Sequence, residues 1–225
     1  SQPCRPLSRW ESDRVVMLNG EWEFCYFSDA RQISPELIRE KSRTEWDRID
    51  VPSVWQQFGY ETWHYVNVKY PFPAIPPRIP TFCPAGVCYE PLENGRAILT
   101  FQGVDAAFEV YVNGVFAGYS QGSHLTAEFD VTELLHPGQN HLTVIVFKWC
   151  WSSYLECQDK FRSSGIFRDV YLLKRPEGHV VYYKIDTAIS GKDAEVRFSY
   201  RSGGAAEVCF EGEKKEVSAG ETVCF

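Results

Sequence analysis

Two blocks of the chain carry residue types suited to holding a ligand rich in hydroxyl groups. One is Tyr65-Val66-Asn67-Val68-Lys69-Tyr70-Pro71-Phe72-Pro73; the other runs from Ser153 to Val170 and contains Glu156, Asp159, Phe161, Arg162 and Arg168. Asn67 offers two N–H donors and a carbonyl acceptor on one side chain, which suits adjacent hydroxyls. The prolines that flank it limit the freedom lost when it is held against a ligand. An asparagine in such a place also satisfies its own loop backbone, and on residue chemistry alone that reading is favoured. Asp159 brings a carboxylate, a hard oxygen donor, although a salt bridge with Arg162 or Arg168 accounts for it equally well. Arg168 and Asp169, at the entry to a strand, read as a structural ion pair.

Trp55, Trp63, Tyr65, Tyr70, Trp149 and Trp151 could each offer a flat face to C–H-rich ring surfaces. Taken one by one, packing in a core or at a domain interface is the better reading. Trp63 and Trp151, flanked by polar residues, are the expected exceptions. The 30 acidic residues show no pattern that pairs two across a pocket. Cys83 and Cys88 could form half of a metal site, but no second pair follows at compatible spacing and the five histidines are scattered singly. The eight cysteines are unevenly spaced in a chain that is 44% hydrophobic, so they are expected as free thiols packed like small hydrophobes. Neither Gly203-Gly204 nor Gly118 to Gly122 opens a helix after a parallel strand, which excludes a phosphate cradle.

The elements that must position these residues are strands. An aromatic content of 15%, with 13 prolines and 16 glycines between short alternating segments, points to an all-β fold. Trp22, Phe24 and Tyr26 fall on one face of a period-two strand. Ser34-Pro35 opens a short surface helix to Glu40. From Asn67 to Pro91, Pro71, Pro73, Pro76, Pro77, Pro80 and Pro84 predict a stiff extended loop. Phe108 to Val112 and Val115 to Tyr119 form a hairpin around Asn113-Gly114. Asp130-Val131-Thr132-Glu133 has capping-box spacing for a single helical turn. Leu142, Val144 and Val146 alternate with Ile145 and Phe147 in a strand buried on both faces.

A formal net charge of -7 and a pI near 5.3 argue against a phosphate-seeking surface, so no nucleic-acid partner is expected. No apolar run approaches the roughly twenty residues of a membrane span, and no apolar leader follows Ser1. Arg175-Pro176-Glu177-Gly178 reads as a boundary between a domain of residues 1–175 and a second element of residues 176–225. Short strands are expected at Val180 to Ile189, Ala194 to Tyr200, Ala206 to Glu211 and Thr222 to Phe225.

The two blocks join Leu18-Asn19-Gly20-Glu21-Trp22, Val51-Pro52-Ser53-Val54-Trp55-Gln56, Asn113-Gly114 with Val115 to Tyr119, and Glu128-Phe129-Asp130 in one ordered series. From about Leu18 to Leu173 the chain thereby resembles the amino-terminal sugar-binding domain of β-galactosidases in glycoside hydrolase family two. The resemblance implies a galactose-binding-like jelly-roll β-sandwich followed by part of an immunoglobulin-like β-sandwich, cut short within residues 176–225. It implies that Asn67, with Val68 beside it in the Tyr-x-Asn-Val-x-Tyr-Pro motif, reaches an active site and contacts a galactosyl group, which reverses the residue-level preference. It implies that Asp159 helps ligate Na+ near the sugar's 6-hydroxyl. Cys157 departs from the family pattern, standing where an aspartate is common, and Trp151 replaces another acidic residue.

The acid/base and nucleophile carboxylates of such an enzyme are implied to lie on a barrel beyond position 225, with Mg2+ expected only there. No catalytic residue is expected in this chain, which should be inert alone. Its implied task is to supply a rim for a β-galactoside held jointly with that barrel, and an oligomer surface for a cytoplasmic homo-oligomer. A β-glucuronidase or β-mannosidase domain is the near alternative, against which the two motifs weigh. A free-standing carbohydrate-binding module or lectin is the alternative from another class, and a sandwich that stops midway argues against it.

Overall fold

The computed structural model describes residues 11–40, 45–92, 97–156, 159–175, 179–191, 193–202, 205–218 and 222–224. The chain forms two compact units, Ser1–Lys174 and Arg175–Phe225. Pro176 to Gly178 and Gly203-Gly204 lie outside the described residues.

In the first unit the strands are β1 Val15–Met17, β2 Gly20–Phe27, β3 Asp47–Val51, β4 His64–Val66, β5 Ala85–Leu92, β6 Ala97–Phe101, β7 Val104–Asp105, β8 Ala107–Val112, β9 Val115–Gln121, β10 Ala127–Asp130, β11 Asn140–Phe147, β12 Lys160–Arg162, β13 Gly165–Ile166 and β14 Val170–Lys174. Helix α1, Pro35–Glu40, stands between β2 and β3, and Ser34 Oγ accepts from Leu37 N at 3.2 Å to cap it. A six-stranded antiparallel sheet in the order β3-β2-β5-β11-β8-β9 faces a four-stranded sheet in the order β1-β14-β6-β10.

The alternation read in the sequence makes the space between the sheets apolar. Trp22, Phe24, Val110, Leu142, Val144 and Val146 from the larger sheet meet Leu99, Phe101, Val170 and Leu172 from the smaller. Ile145 points the other way and packs with Val87 beneath Leu37 of α1, so β11 is buried on both faces as its unbroken apolar run predicts. At the tip of the β8–β9 hairpin, Asn113 and Gly114 adopt φ of 53° and 76°, the left-handed pair of a type I′ turn.

Two details differ from the sequence reading. The stretch from Asn67 to Pro91 is not loop throughout: its last third is β5, the strand between β2 and β11. Proline density concealed it, since Ala85 to Glu90 contain none and Pro91 sits near the strand's end. Gly86 within β5 is fixed by close approach, because a Cβ there would stand 2.5 Å from Phe24 and 2.6 Å from Trp55. The turn after Asp130 is a 3-10 turn, Thr132–Leu134, with Val131 at its N-cap; Asp130 Oδ1, one residue further out, accepts from Thr132 N at 3.0 Å.

The second unit contains β15 Val180–Ser190, β16 Asp193–Ser202, β17 Ala206–Phe210, β18 Glu213–Val217 and β19 Thr222–Cys224. They pair as a three-stranded sheet, β15-β16-β19, and a two-stranded one, β17-β18. The charged strand Glu213-Lys214-Lys215-Glu216-Val217 carried no apolar alternation and was not expected. Phe198 stacks between Tyr183 and Tyr200 at 6.0 Å from each.

Cys25, Cys83, Cys88, Cys150 and Cys209 are free thiols, the first four buried. Burial pushes the Cys88 thiol from 9.0 up to about 12. A thiol whose pKa is raised by folding contributes stability that is full below about pH 9 and lost as pH rises toward 12. Between pH 8.5 and 10.5 the wild-type chain is therefore expected to lose up to about 2 kcal/mol more than Cys88→Ala, because other titrating groups cancel in the difference. Urea unfolding at the two pH values measures this; equal losses would show that Cys88 does not titrate against the fold.

Candidate functional site

The pairing of β4 with β12 brings the two blocks together. Val66 stands opposite Lys160, Tyr65 opposite Phe161 and His64 opposite Arg162. Asn67 follows β4 and Asp159 precedes β12, so the two candidate residues emerge side by side at the same end of this ribbon. Both are exposed, and Val68 beyond them is 88% exposed. The strand period of two puts Tyr65 and Phe161 on the outer face, where their rings meet edge to face at 5.6 Å, with Trp63 against Phe161 at 5.9 Å.

Tyr65 links the polar pair. Its hydroxyl donates to Asp159 Oδ1 along the diagonal of the ribbon. Asp159 is the main reason the phenol's pKa is raised, because a nearby carboxylate that accepts the proton disfavours its loss; burial adds to this, and the Asn67 side chain on the same face of the ribbon opposes it. Asp159 thus pairs with a phenol and not with either arginine named from the sequence. Arg162 turns to Ser153 and Glu156, while Arg168 donates to His124 O at 3.4 Å. Asp169 Oδ1 accepts from Asn19 Nδ2 at 2.9 Å, a contact that ties the start of β14 to the β1–β2 turn.

The inner face of the ribbon is anchored by buried charge. Arg162 is 2% exposed; its Nη2 donates to Ser153 O at 2.8 Å and its Nη1 lies 3.7 Å from Glu156 Oε2. Glu156 Oε1 in turn accepts from Ser123 N at 2.7 Å. The Ser123 hydroxyl lies 2.9 Å from both Glu156 Oε2 and Asp105 Oδ1, and Ser163 Oγ donates to Asp105 Oδ2 at 2.8 Å. Beside this, His64 packs on Trp149 at 5.8 Å, and Lys148, 2% exposed, pairs with Glu61. Burial lowers the Lys148 ammonium from 10.5 to about 8, and the Glu61 carboxylate is its counter-charge.

The proline-rich loop is docked by aromatic residues. Tyr70 Oη donates to Tyr154 O at 2.9 Å, and Tyr154 Oη accepts from Ile75 N at 3.3 Å and donates to Arg78 O. Phe72 sits edge-on to Trp149 at 5.1 Å and to Tyr154 at 5.4 Å. A depression of about 270 Å³ in this loop, bordered by Phe72, Ile75 and Arg78, does not include Asn67 or Asp159. Asn67 and Asp159 are both exposed, on an open rim of the ribbon.

Of the stacking candidates, Trp55 and Trp149 are buried and Trp63 and Trp151 are 48% and 49% exposed, as expected from their polar flanks, but Tyr65 and Tyr70, expected to pack, are exposed as well. Cys157 lies outside the described residues. Sequence reasoning missed the supporting groups Glu61, Asp105, Ser123 and Lys148, and gave Arg162 to Asp159 where the structure gives it to Ser153 and Glu156. A lone lysine within Val146-Phe147-Lys148-Trp149 and a lone aspartate within Val104-Asp105-Ala106-Ala107 were their signals, because a charge inside an apolar run has to find a partner.

A β-sandwich with a ribbon of this kind on its edge defines a class. Residues 15–176 match the family described as glycosyl hydrolases family 2, sugar binding domain, and the chain belongs to that family. Among curated proteins it is 44% identical over 196 residues to a β-galactosidase of Actinobacillus pleuropneumoniae, covering 84% of this chain and 19% of that protein. It is 44% identical over 203 residues to a β-galactosidase of Erwinia tasmaniensis, covering 82% and 20%. The chain thus spans about a fifth of the length of these relatives. Among solved structures, the β-glucuronidase of Bifidobacterium dentium superposes with a TM-score of 0.65 at 20% identity, over 97% of this chain and 43% of that one. A β-glucuronidase of an uncultured Clostridium gives 0.64 at 19%, over 93% and 39%. At such identity the likeness establishes the sandwich fold alone.

Removing Arg162 leaves Glu156 without its cation beneath the ribbon. Arg162→Ala is expected to destabilise the chain by about 3 kcal/mol, the range for breaking a buried pair. Arg162→Lys should recover part of this, since a lysine can keep the charge but not the fork of donors. Urea unfolding of the three proteins checks the order; an unchanged Arg162→Ala midpoint would remove the anchoring role.

Proposed function

We propose that this chain is the non-catalytic amino-terminal sugar-binding part of a retaining β-galactosidase, supplying one rim of its active site and part of an oligomer surface. The observation that carries the reading is the β4–β12 register, which sets Asn67 beside Asp159 at one exposed ribbon end. The 40–44% identity to β-galactosidases favours that activity over the β-glucuronidases, whose likeness is one of fold.

Asn67 uses its amide to hold adjacent hydroxyls of the galactosyl group, and Val68 lends an apolar contact beside it. Asp159 orients the region of the 6-hydroxyl. Tyr65 occupies Asp159 Oδ1, which leaves Oδ2 as a hard donor for Na+. Among the described residues no three His, Cys, Asp or Glu converge on a metal, so the remaining ligands come from carbonyls, water or the catalytic barrel. Held by Asp159 Oδ2, such an ion would supply a hard cation for the sugar's 6-hydroxyl. The acid/base and nucleophile carboxylates, with their Mg2+, belong to that barrel. The uncovered Tyr183, Ile185 and Ile189 on one side of β15 suit an immunoglobulin-like sandwich that needs a further sheet.

Asn67→Ala in the full-length enzyme is expected to lower kcat/KM by about 1 to 3 kcal/mol, the range for a lost polar partner, with little change in melting temperature. Wild-type kinetics would refute the contact. The 225-residue chain alone should not hydrolyse a nitrophenyl galactoside and should bind galactose only weakly. Submillimolar binding by calorimetry would instead support a free-standing lectin.

A further inference from the structure

We infer that Tyr65 is the positioning residue of this rim, its hydroxyl coupling the Asn67 amide to the Asp159 carboxylate so that both are oriented before a sugar arrives. The inference rests on the proposal that Asn67 and Asp159 contact substrate, and it concerns what holds them there.

Asn67 and Asp159 are exposed residues just outside the paired strands, where ladder hydrogen bonds no longer fix the chain. A side chain in that situation samples several rotamers, and ordering it on binding weakens affinity. Tyr65 removes the freedom of both at once. Its backbone is held in β4, its ring packs on Phe161 at 5.6 Å, and its hydroxyl donates to Asp159, which the register sets opposite Asn67 on the same face, where the Asn67 amide acts on the phenol. A phenol can do this because one oxygen both donates and accepts. Phenylalanine would keep the ring contact and lose the link, so the substitution separates positioning from folding.

The order imposed by Tyr65 exists before the sugar ring changes shape, so it weighs equally on ground and transition states. Tyr65→Phe in the full-length enzyme is expected to raise KM about 3- to 10-fold with kcat within about twofold. In an Asp159→Ala background, where the hydroxyl has lost its acceptor, the same substitution should change KM by less than about twofold, because the link is already cut. In the 225-residue chain, the Asn67 side-chain amide signal, assigned by its loss in Asn67→Ala, should shift in both Tyr65→Phe and Asp159→Ala. An unchanged KM in Tyr65→Phe, or an equal KM effect in both backgrounds, would overturn the positioning role while leaving the proposed function standing. If Asn67→Ala and Asp159→Ala both retain wild-type kcat/KM, the rim itself has no contact with substrate and both proposals fall.

Discussion

The antiparallel pairing of β4 with β12 is the constraint on which the rest of the site depends. Tyr65 and Asp159 are 94 residues apart in sequence, and no local preference of either block brings them together. Closing so long a loop costs little more entropy than closing one half its length, roughly 0.6 kcal/mol, but three paired residues cannot meet the closure cost alone. The sandwich meets it: with β5 paired to β11, Ala85 stands opposite Phe147, so the two segments that lead to the ribbon start side by side.

The two faces of the ribbon then divide the work. On the inner face Arg162 is held by Ser153 and Glu156, and neighbouring Lys148 is held by Glu61, so both buried cations have a counter-charge in reach. Such groups are costly to bury and costlier to separate, which makes the alignment of the ribbon specific. On the outer face Trp63, Tyr65 and Phe161 stay exposed and carry the polar pair at their end. The same three-residue pairing thus converts the order of the core into an oriented exposed amide and carboxylate.

Much of the sandwich was legible in the sequence because its signals are local. Trp22, Phe24 and Tyr26 alternate, Asn113-Gly114 accepts the left-handed turn, and Leu142 to Val146 form an unbroken apolar run. β5 was hidden by the prolines before it and β18 by its charges, because neither shows an apolar alternation of its own and both are strands through their neighbours. Asn67, Val68 and Asp159 were legible as motif positions. Their adjacency was not, since pairing register over long separations leaves no mark in either segment. The switch of Asp159 from an arginine to Tyr65 has the same origin: Arg162 lies on the opposite face of β12 by the period of two, and its buried partners claim it.

The central claim, that the end of the β4–β12 ribbon is where the galactosyl group meets this chain, is tested most directly by a crystal structure of the full-length enzyme with a bound galactoside. The expected result is the Asn67 amide and the Asp159 carboxylate within about 3.2 Å of sugar hydroxyls or of an ion that bridges to them, with Tyr65 still joined to Asp159. A sugar held by the barrel with both side chains turned away, or seated instead on the exposed face of Trp151, would contradict it.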